Sequence, residues 1–245
     1  MKKHIPNLIT LLNLFSGCVA VLFAVHGNLE YAAYFVFLGI FFDYFDGFAA
    51  RMLHVQSELG LQLDSLADMV TSGVVPGVAM FQLLQWSTGS VMPENSGWDH
   101  LLIGEMNFLP FVGLCITLAS AYRLANFNID ENQTSSFIGL PTPANTLLIL
   151  SFPLILQFQN SDSMQHLVMN KWFLLILTAL SCYMLNAKIP LFALKFKTFG
   201  FKENAIRYIF LILSVIMLIT MQFMAIPLII VTYVLLSLLT TVLKK

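Results

Sequence analysis

Long apolar segments, separated by short polar breaks, fill most of the sequence. A helix needs about 20 mostly apolar residues to cross the hydrocarbon core of a membrane, and several segments approach or exceed that length. The predicted spans are residues 5–25, 29–50, 59–86, 108–127, 144–158, 172–185, 205–223 and 226–243. The pattern therefore predicts an all-α fold, a polytopic membrane helix bundle of about eight transmembrane helices. It forms a single integral membrane domain over residues 1–245.

The charge composition excludes several other classes of protein. Charged residues make up 10% of the chain, whereas a soluble domain carries about 25%, so an ordinary cytosolic enzyme and a disordered chain are both excluded. The 12 Lys and Arg residues are balanced by 13 Asp and Glu residues, which leaves no net positive field to attract nucleic acid. The lipid bilayer is the expected partner, and nucleic acid is not.

The basic residues are distributed unevenly between the two ends of the predicted spans. Lys and Arg are enriched in the cytoplasmic loops of membrane proteins. If the N-terminus lies in the cytoplasm, Lys171 alone of the 12 basic residues falls at an outer end. The outer break at 87–107 carries acidic residues but no Lys or Arg. Because an even number of spans returns the chain to its starting side, both termini are predicted to be cytoplasmic.

Four aspartates interrupt the second and third apolar segments. An ionised side chain at the centre of a span costs about 2.5–3.5 kcal/mol on insertion scales, so such groups need a reason. Asp43 and Asp46 are spaced i, i+3, and Asp64 and Asp68 are spaced i, i+4. Each pair therefore shares one helix face. The short connection between the two segments makes them antiparallel neighbours, so the carboxylates are predicted to converge near the inner membrane surface.

This cluster has the composition of a divalent-metal site. Arg51 is the one basic residue within it, so the charges cannot neutralise one another. Carboxylate oxygens suit Mg²⁺ or Mn²⁺ better than zinc. Gly47, Ala50 and Gly60 leave the helix surfaces open to the close approach of a ligand or a second helix. A cation transporter is the alternative from another class, but transport carboxylates lie near the midplane, whereas these lie near helix ends.

The same residues form a longer motif. Eight fixed positions over 26 residues follow the pattern D-x2-D-G-x2-A-R-x8-G-x3-D-x3-D, which begins at Asp43 and ends at Asp68. The pattern resembles the complete motif of the CDP-alcohol phosphatidyltransferase family. The resemblance implies transfer of a phosphatidyl group from a CDP-linked lipid to an alcohol, with release of CMP. It also implies divalent metals held by the aspartates and a homodimer.

Further segments resemble the bacterial membrane-embedded phosphatidylserine synthases of this family; they are residues 5–17, 65–76, 122–128 and 139–144. The likeness covers about residues 4–150, the predicted catalytic core, while the C-terminal helices at 172–243 match only as hydrophobic segments. Asn126 stands where the subfamily commonly has a second arginine. The resemblance implies CDP-diacylglycerol and L-serine as substrates, in a bacterial cytoplasmic membrane with the active site facing the cytoplasm. Glycerol 3-phosphate, an inositol phosphate or choline is the alternative acceptor.

The resemblance assigns metal and catalytic roles to the aspartates. The implied ligands of two Mg²⁺ or Mn²⁺ ions are Asp43, Asp46, Asp64 and Asp68. Asp68 is also the expected general base, because a serine hydroxyl is a weak nucleophile that needs a carboxylate within hydrogen-bond reach.

Other residues are expected to bind the substrates. The expected CDP-lipid-binding residues are Asn7, Thr10, Gly47, Ala50, Arg51 and Gly60. The guanidinium fork of Arg51 suits phosphate, whereas Asn7 and Thr10 have helix capping as an equal alternative. Arg123 is the candidate partner of the serine carboxylate, and its alternative is a pairing with an aspartate or a lipid phosphate.

Overall fold

The computed structural model describes residues 4–89, 107–129, 137–159, 161–191 and 200–242, and these residues are mostly helical. The α-helices in these ranges are α1 (Ile5–Val25), α2 (Leu29–Met52), α3 (Glu58–Asp68), α4 (Val75–Ser87), α5 (Cys115–Ile129), α6 (Thr142–Phe158), α7 (Asp162–Val168), α8 (Lys171–Asn186), α9 (Phe201–Met221) and α10 (Ala225–Val242).

The remaining regular elements are short. A π-helix covers Met69–Val74, and 3₁₀ turns cover Leu109–Leu114 and Gln222–Met224. Strands β1 (Phe137–Ile138) and β2 (Pro190–Leu191) pair in antiparallel register. The all-α prediction missed this pair, because two-residue strands are too short for an alternating pattern to show in the sequence.

The first two spans form an antiparallel hairpin that packs through small side chains. Gly27 makes the turn between them with a φ of 75°, which glycine adopts at little steric cost. The fully buried residues of this hairpin include Ala20, Ala24, Ala32 and Ala33. Because small residues let membrane helices approach closely, the hairpin holds the acidic end of α2 beside the start of α1.

The third span is one 30-residue helical stretch, Glu58–Ser87, that is not uniformly α-helical. Its N-cap is Ser57, whose hydroxyl accepts a hydrogen bond of 3.1 Å from the backbone N–H of Gly60. The π-helix begins directly after Asp68 and separates α3 from α4. The sequence predicted one unbroken helix over 59–86, because hydrophobic periodicity carries no signal for a widened turn. Such π turns frequently occur at functional sites.

The centre of the bundle is α6, although it is shorter than a full span. Its fully buried residues include Ile149, Leu150, Leu154 and Ile155. Pro153 lies inside the helix, where it removes one backbone donor. Its 17 residues are fewer than the about 20 that a full span needs, and protein encloses most of the helix.

The outer surfaces of the spans expose large apolar side chains, as a membrane protein requires. Leu22 is 63% exposed, Leu118 is 68% exposed and Ile219 is 76% exposed. Extensive apolar exposure of this kind marks a surface that contacts lipid or protein. In the described residues, five helical stretches are long and apolar enough to cross a membrane, or six if the bent pair α7–α8 forms one span. This number is lower than the eight predicted spans.

Beyond the bent pair α7–α8, the difference lies in α6 and in the last stretch. Residues Asn204–Thr240 enter the count of five as one stretch, yet the chain turns within it. The rings of Phe210 and Tyr233 have centroids 5.8 Å apart, whereas a straight helix would separate these residues by about 35 Å at 1.5 Å per residue. Gln222 has a φ of 50° in the 3₁₀ turn between the helices. Helices α9 and α10 are therefore antiparallel neighbours.

Candidate active site

Helices α2 and α3 bring three carboxylates together. Asp43 lies on α2, and Asp64 and Asp68 lie on α3. Each can offer one carboxylate oxygen, and these oxygens all lie within 4.8 Å of one another. The antiparallel arrangement of the two helices and the one-turn spacing within α3 produce this grouping, as the sequence spacing led us to expect.

Asp46 lies beside this group rather than within it. Its side chain is 6% exposed, and its Oδ2 accepts a hydrogen bond of 2.5 Å from the Thr10 hydroxyl. The Thr10 hydroxyl also lies 3.1 Å from the Pro6 carbonyl, but its single proton goes to the nearer and charged acceptor. Thr10 lies inside α1, whose N-cap is His4, so it does not cap the helix.

The three clustered carboxylates of Asp43, Asp64 and Asp68 fit a divalent cation. Asp64 Oδ1 is buried and has no hydrogen-bond partner among the described residues. A buried carboxylate oxygen without a partner is costly unless a cation or a donor satisfies it. The donor set consists of oxygens only, which suits Mg²⁺ or Mn²⁺. The hydrogen bonds to Asp46 and Asp68 come from the neutral side chains of Thr10 and Asn13, so these partners do not neutralise the negative charge.

Asp68 is held by a buried polar pair that the sequence did not single out. The Nδ2 of Asn13 donates to Asp68 Oδ1 at 3.3 Å, and the hydroxyl of Thr71 donates to Asn13 Oδ1 at 2.8 Å. Asn13 lies on α1 and Thr71 lies in the π-helix, and both are fully buried. The available signal was a polar side chain within an apolar span, which alone does not identify the partner.

A cavity of about 470 Å³ opens beside the aspartates. Its lining includes every residue predicted to bind the CDP-lipid, namely Asn7, Thr10, Gly47, Ala50, Arg51 and Gly60. Asp46 and Asp64 also line it, so the cavity adjoins the carboxylate group. A Cβ added to Gly47 would meet nothing nearer than the Arg51 guanidinium at 3.7 Å. Glycine at this position therefore widens the cavity in front of a cationic side chain.

Arg123 lies at a second cavity, of about 730 Å³. Its Nη1 donates to the carbonyls of Leu185 at 2.6 Å and Ile138 at 2.8 Å, and its Nη2 donates to the Gly139 carbonyl at 3.4 Å. The guanidinium thus joins the end of α8 to the residues around β1. The sequence alternatives of an aspartate or a lipid phosphate did not anticipate these backbone partners. Asn126 and Lys188 also line this cavity.

Helices α3 and α5 are joined next to the carboxylates. The Ser65 hydroxyl donates to Asn128 Oδ1 at 2.9 Å, and Asn128 Nδ2 donates to Gln62 Oε1 at 3.3 Å. Ser65 follows Asp64 directly in the sequence. The contact therefore couples the helix that bears Asp64 to the helix that bears Arg123.

Comparisons with known proteins agree with this geometry. The family model described as CDP-alcohol phosphatidyltransferase matches residues 3–183. The chain is 34% identical over 156 residues to a CDP-diacylglycerol–serine O-phosphatidyltransferase of Bacillus subtilis, which covers 61% of this chain and 76% of that protein. It is 29% identical over 147 residues to the protein of the same name from Helicobacter pylori strain J99, covering 59% of this chain and 55% of that protein.

A relative from an archaeon carries a related name. The archaetidylserine synthase of Methanothermobacter thermautotrophicus is 29% identical over 151 residues, which cover 60% of this chain and 57% of that protein. The chain thus spans between about half and three quarters of the length of these curated relatives. The family match includes both aspartate pairs and Arg123. By this match and by the carboxylate group at the motif, the chain belongs to the CDP-alcohol phosphatidyltransferase family.

Proposed function

We propose that the protein transfers the phosphatidyl group of CDP-diacylglycerol to L-serine, which gives phosphatidylserine and CMP. The single observation that carries the proposal is the carboxylate group of Asp43, Asp64 and Asp68 beside a cavity lined by Arg51. The names of the relatives from Bacillus and Helicobacter support serine as the acceptor.

The metal would be held by the aspartates. Asp43, Asp64 and Asp68 are the proposed ligands on geometry, and Asp46 is a further ligand on the resemblance. Two Mg²⁺ or Mn²⁺ ions at such a site supply Lewis-acid stabilisation of charge that develops on the transferred and departing phosphates. The buried, unpartnered Asp64 Oδ1 supports direct coordination by this residue.

The donor would occupy the cavity of about 470 Å³. Arg51 would pair with a phosphate oxygen, since a guanidinium offers donors in a fork. Gly47 and Ala50 leave space for the nucleotide, and Asn7 and Thr10 provide polar groups at the same opening. The diacylglycerol chains would extend along the exposed apolar faces of the neighbouring helices.

Asp68 is the proposed general base. The serine hydroxyl oxygen forms a bond to the phosphorus that carries diacylglycerol, and the bond from this phosphorus to the CMP oxygen breaks. The electron pair leaves with CMP, and the hydroxyl proton passes to Asp68. Arg123 is the proposed partner of the serine carboxylate, although its present donors reach the carbonyls of Leu185 and Ile138.

We further propose a topology of eight spans with both termini in the cytoplasm of a bacterium. The reversal between α9 and α10, seen in the Phe210–Tyr233 contact, supports counting them as two spans. The distribution of basic residues supports the orientation, which turns the aspartates toward the cytosol. The proposed division is a catalytic core at 4–150 and C-terminal helices at 172–243, in one domain that forms a homodimer.

An acceptor panel tests the proposed function. The purified full chain in lipid–detergent micelles is given labelled CDP-diacylglycerol with serine, glycerol 3-phosphate, an inositol phosphate or choline, and the lipid product is identified. We expect phosphatidylserine and stoichiometric CMP, lost with EDTA and restored by Mg²⁺ or Mn²⁺. If the lipid product formed is a different one, the acceptor is the alcohol in that product, and the assignment of serine is wrong.

A second measurement separates the enzyme from a cation transporter. The protein is reconstituted into vesicles that contain a cation-sensitive dye, with no nucleotide present. The proposed enzyme gives no cation flux above that of protein-free vesicles. Flux without CMP release would reject the transferase.

A further inference from the structure

A chain of hydrogen bonds connects the π-helix to Asp68. The Thr71 hydroxyl donates to Asn13 Oδ1 at 2.8 Å, and Asn13 Nδ2 donates to Asp68 Oδ1 at 3.3 Å. The order of donors follows from the charge at one end, because a carboxylate can only accept. The amide nitrogen of Asn13 must therefore face Asp68, which leaves the amide oxygen to accept from Thr71.

The surrounding backbone leaves little freedom to Thr71 and Asn13. A Cβ added to Gly39 would lie 2.7 Å from Thr71 Cγ2 and 2.9 Å from Asn13 Oδ1. A Cβ added to Gly17 would lie 3.1 Å from the Thr71 backbone nitrogen. Helices α1 and α2 thus enclose both side chains, which are fully buried. Packing and hydrogen bonds therefore both restrict the positions of Asn13 and Thr71 relative to Asp68.

We infer that Asn13 and Thr71 are positioning residues for Asp68, and this inference rests on the proposed function. Asn13 holds one oxygen of Asp68, so the carboxyl group presents its other oxygen in a fixed direction. Thr71 acts through Asn13, because its hydroxyl donates to the amide oxygen and so restrains the amide in the orientation that Asp68 requires. The π-helix, which begins at the residue after Asp68, contributes the hydroxyl to this chain.

The reaction benefits from a fixed carboxyl group for either role proposed for Asp68. A general base must meet the serine hydroxyl at a defined distance. A metal ligand must keep its orientation, and residues that orient ligands typically affect metal affinity or activity by about 10- to 100-fold. Loss of the amide or of the hydroxyl should reduce turnover by a factor in this range without a matching change in donor binding.

Four variants of the full chain test the inference. Thr71→Val removes the hydroxyl at nearly constant shape, and Thr71→Ser keeps it. Asn13→Leu removes the amide, and it is combined with Thr71→Val in a double variant. The matched control is Thr178→Val on α8, where the buried hydroxyl donates within its own helix to the Leu174 carbonyl at 2.8 Å and contacts no motif aspartate among the described residues. Measurements are kcat, the KM for CDP-diacylglycerol and Mn²⁺ affinity by electron paramagnetic resonance.

The expected ranking is specific to a positioning role. Asn13→Leu and Thr71→Val lower kcat or Mn²⁺ affinity by about 10- to 100-fold, while Thr71→Ser and Thr178→Val stay within about threefold of wild type. The KM for CDP-diacylglycerol stays within about twofold in all of them. The double variant is no worse than Asn13→Leu alone, because residues that act in series are not additive.

Two results would overturn the inference. One is a Thr71→Val protein that matches Thr178→Val in both kcat and Mn²⁺ affinity. The other is a double variant whose loss equals the product of the two single losses, which would mean that Thr71 acts independently of Asn13. If Asn13→Leu fails to fold, the comparison of Thr71→Val with Thr71→Ser still decides.

Asp68→Asn separates this inference from the proposed function. An Asp68→Asn protein with wild-type turnover would contradict the role of Asp68 itself. An inactive Asp68→Asn protein together with fully active Thr71→Val and Asn13→Leu proteins would reject only the positioning role.

Discussion

Thr10 on α1 donates a hydrogen bond of 2.5 Å to Asp46 on α2. The two residues lie 36 positions apart in the sequence, and both are buried, with 3% and 6% of their surfaces exposed. Burying a carboxylate is costly unless donors compensate for lost water. The first span is therefore part of the aspartate site, because it supplies a donor to one of the four motif aspartates.

Replacing Thr10 by Val should impair the enzyme more than replacing it by Ser. A hydrogen bond to a charged group contributes about 1.5–3 kcal/mol, and a loss of this size in the transition state lowers the rate by about 10- to 100-fold. Thr10→Ser keeps the hydroxyl and should retain most activity. CMP release is the assay, and equal activity of the two variants would show that Asp46 does not depend on this donor.

Removing the charge of any one of the clustered aspartates should abolish turnover. Asp43→Asn and Asp64→Asn each keep the side-chain shape but weaken an all-oxygen cation site. We expect CMP release to fall by more than about tenfold, which corresponds to roughly 1.4 kcal/mol of barrier. Mn²⁺ affinity measured by electron paramagnetic resonance should fall in parallel.

Asp46→Asn extends this test to the aspartate outside the group of three. The family resemblance leads us to expect the same loss of CMP release. The metal site would be contradicted if Asp43→Asn, Asp46→Asn and Asp64→Asn all retained more than about a tenth of the wild-type rate. Glu30→Gln is the matched control, because Glu30 lies in the first turn of α2, away from the aspartates, and is not one of the three clustered carboxylates.

The mostly helical architecture and the aspartate pairs followed from the sequence because both depend on local spacing. Apolar length predicts a membrane helix wherever it occurs, and positions i, i+3 and i+4 share a helix face whatever surrounds them. Asp43, Asp64 and Asp68 converge because a short connection forces two such helices to be neighbours.

The partners of Arg123 and Asp68 did not follow from the sequence. Arg123 donates to the carbonyl of Leu185, which is 62 residues away, and a backbone acceptor leaves no mark in the amino-acid pattern. Asn13 and Asp68 are 55 residues apart, and their contact depends on how α1 crosses the third span. Tertiary packing decides such contacts, so periodicity and motif spacing carry no information about them.

Enlarging Gly47 should weaken donor binding in proportion to side-chain size. Gly47→Ala should be tolerated, because the nearest atom to an added Cβ is Arg51 Nη1 at 3.7 Å. Gly47→Leu would extend into the cavity and displace the guanidinium, so the KM for CDP-diacylglycerol should rise by about tenfold or more, the loss of one charge-assisted contact. Membrane insertion should be unchanged, since Leu is favourable in lipid. Unchanged KM in Gly47→Leu would mean that the donor does not approach this face.

Substitutions at Arg123 and Gly139, compared with each other, distinguish a role of Arg123 in acceptor binding from a role in structural support. Arg123→Ala leaves the carbonyl of the buried residue Leu185 without this donor, and an unsatisfied buried acceptor costs about 1–3 kcal/mol. Gly139 has a φ of 72°, and a Cβ there would lie 2.8 Å from Arg123 Nη1. Gly139→Ala should therefore strain the same contact while it keeps the positive charge.

We expect both variants to lower the Tm, but only Arg123→Ala to raise the KM for serine. A guanidinium is the natural complement of the serine carboxylate, and this charge persists in Gly139→Ala. The KM of Arg123→Lys for serine should lie between those of Gly139→Ala and Arg123→Ala, because an ammonium keeps the charge but loses the fork of the guanidinium. The KM values for serine and for CDP-diacylglycerol are measured separately, together with thermal unfolding. If Arg123→Ala and Gly139→Ala change the two KM values alike, Arg123 supports the end of α8 and does not bind the acceptor.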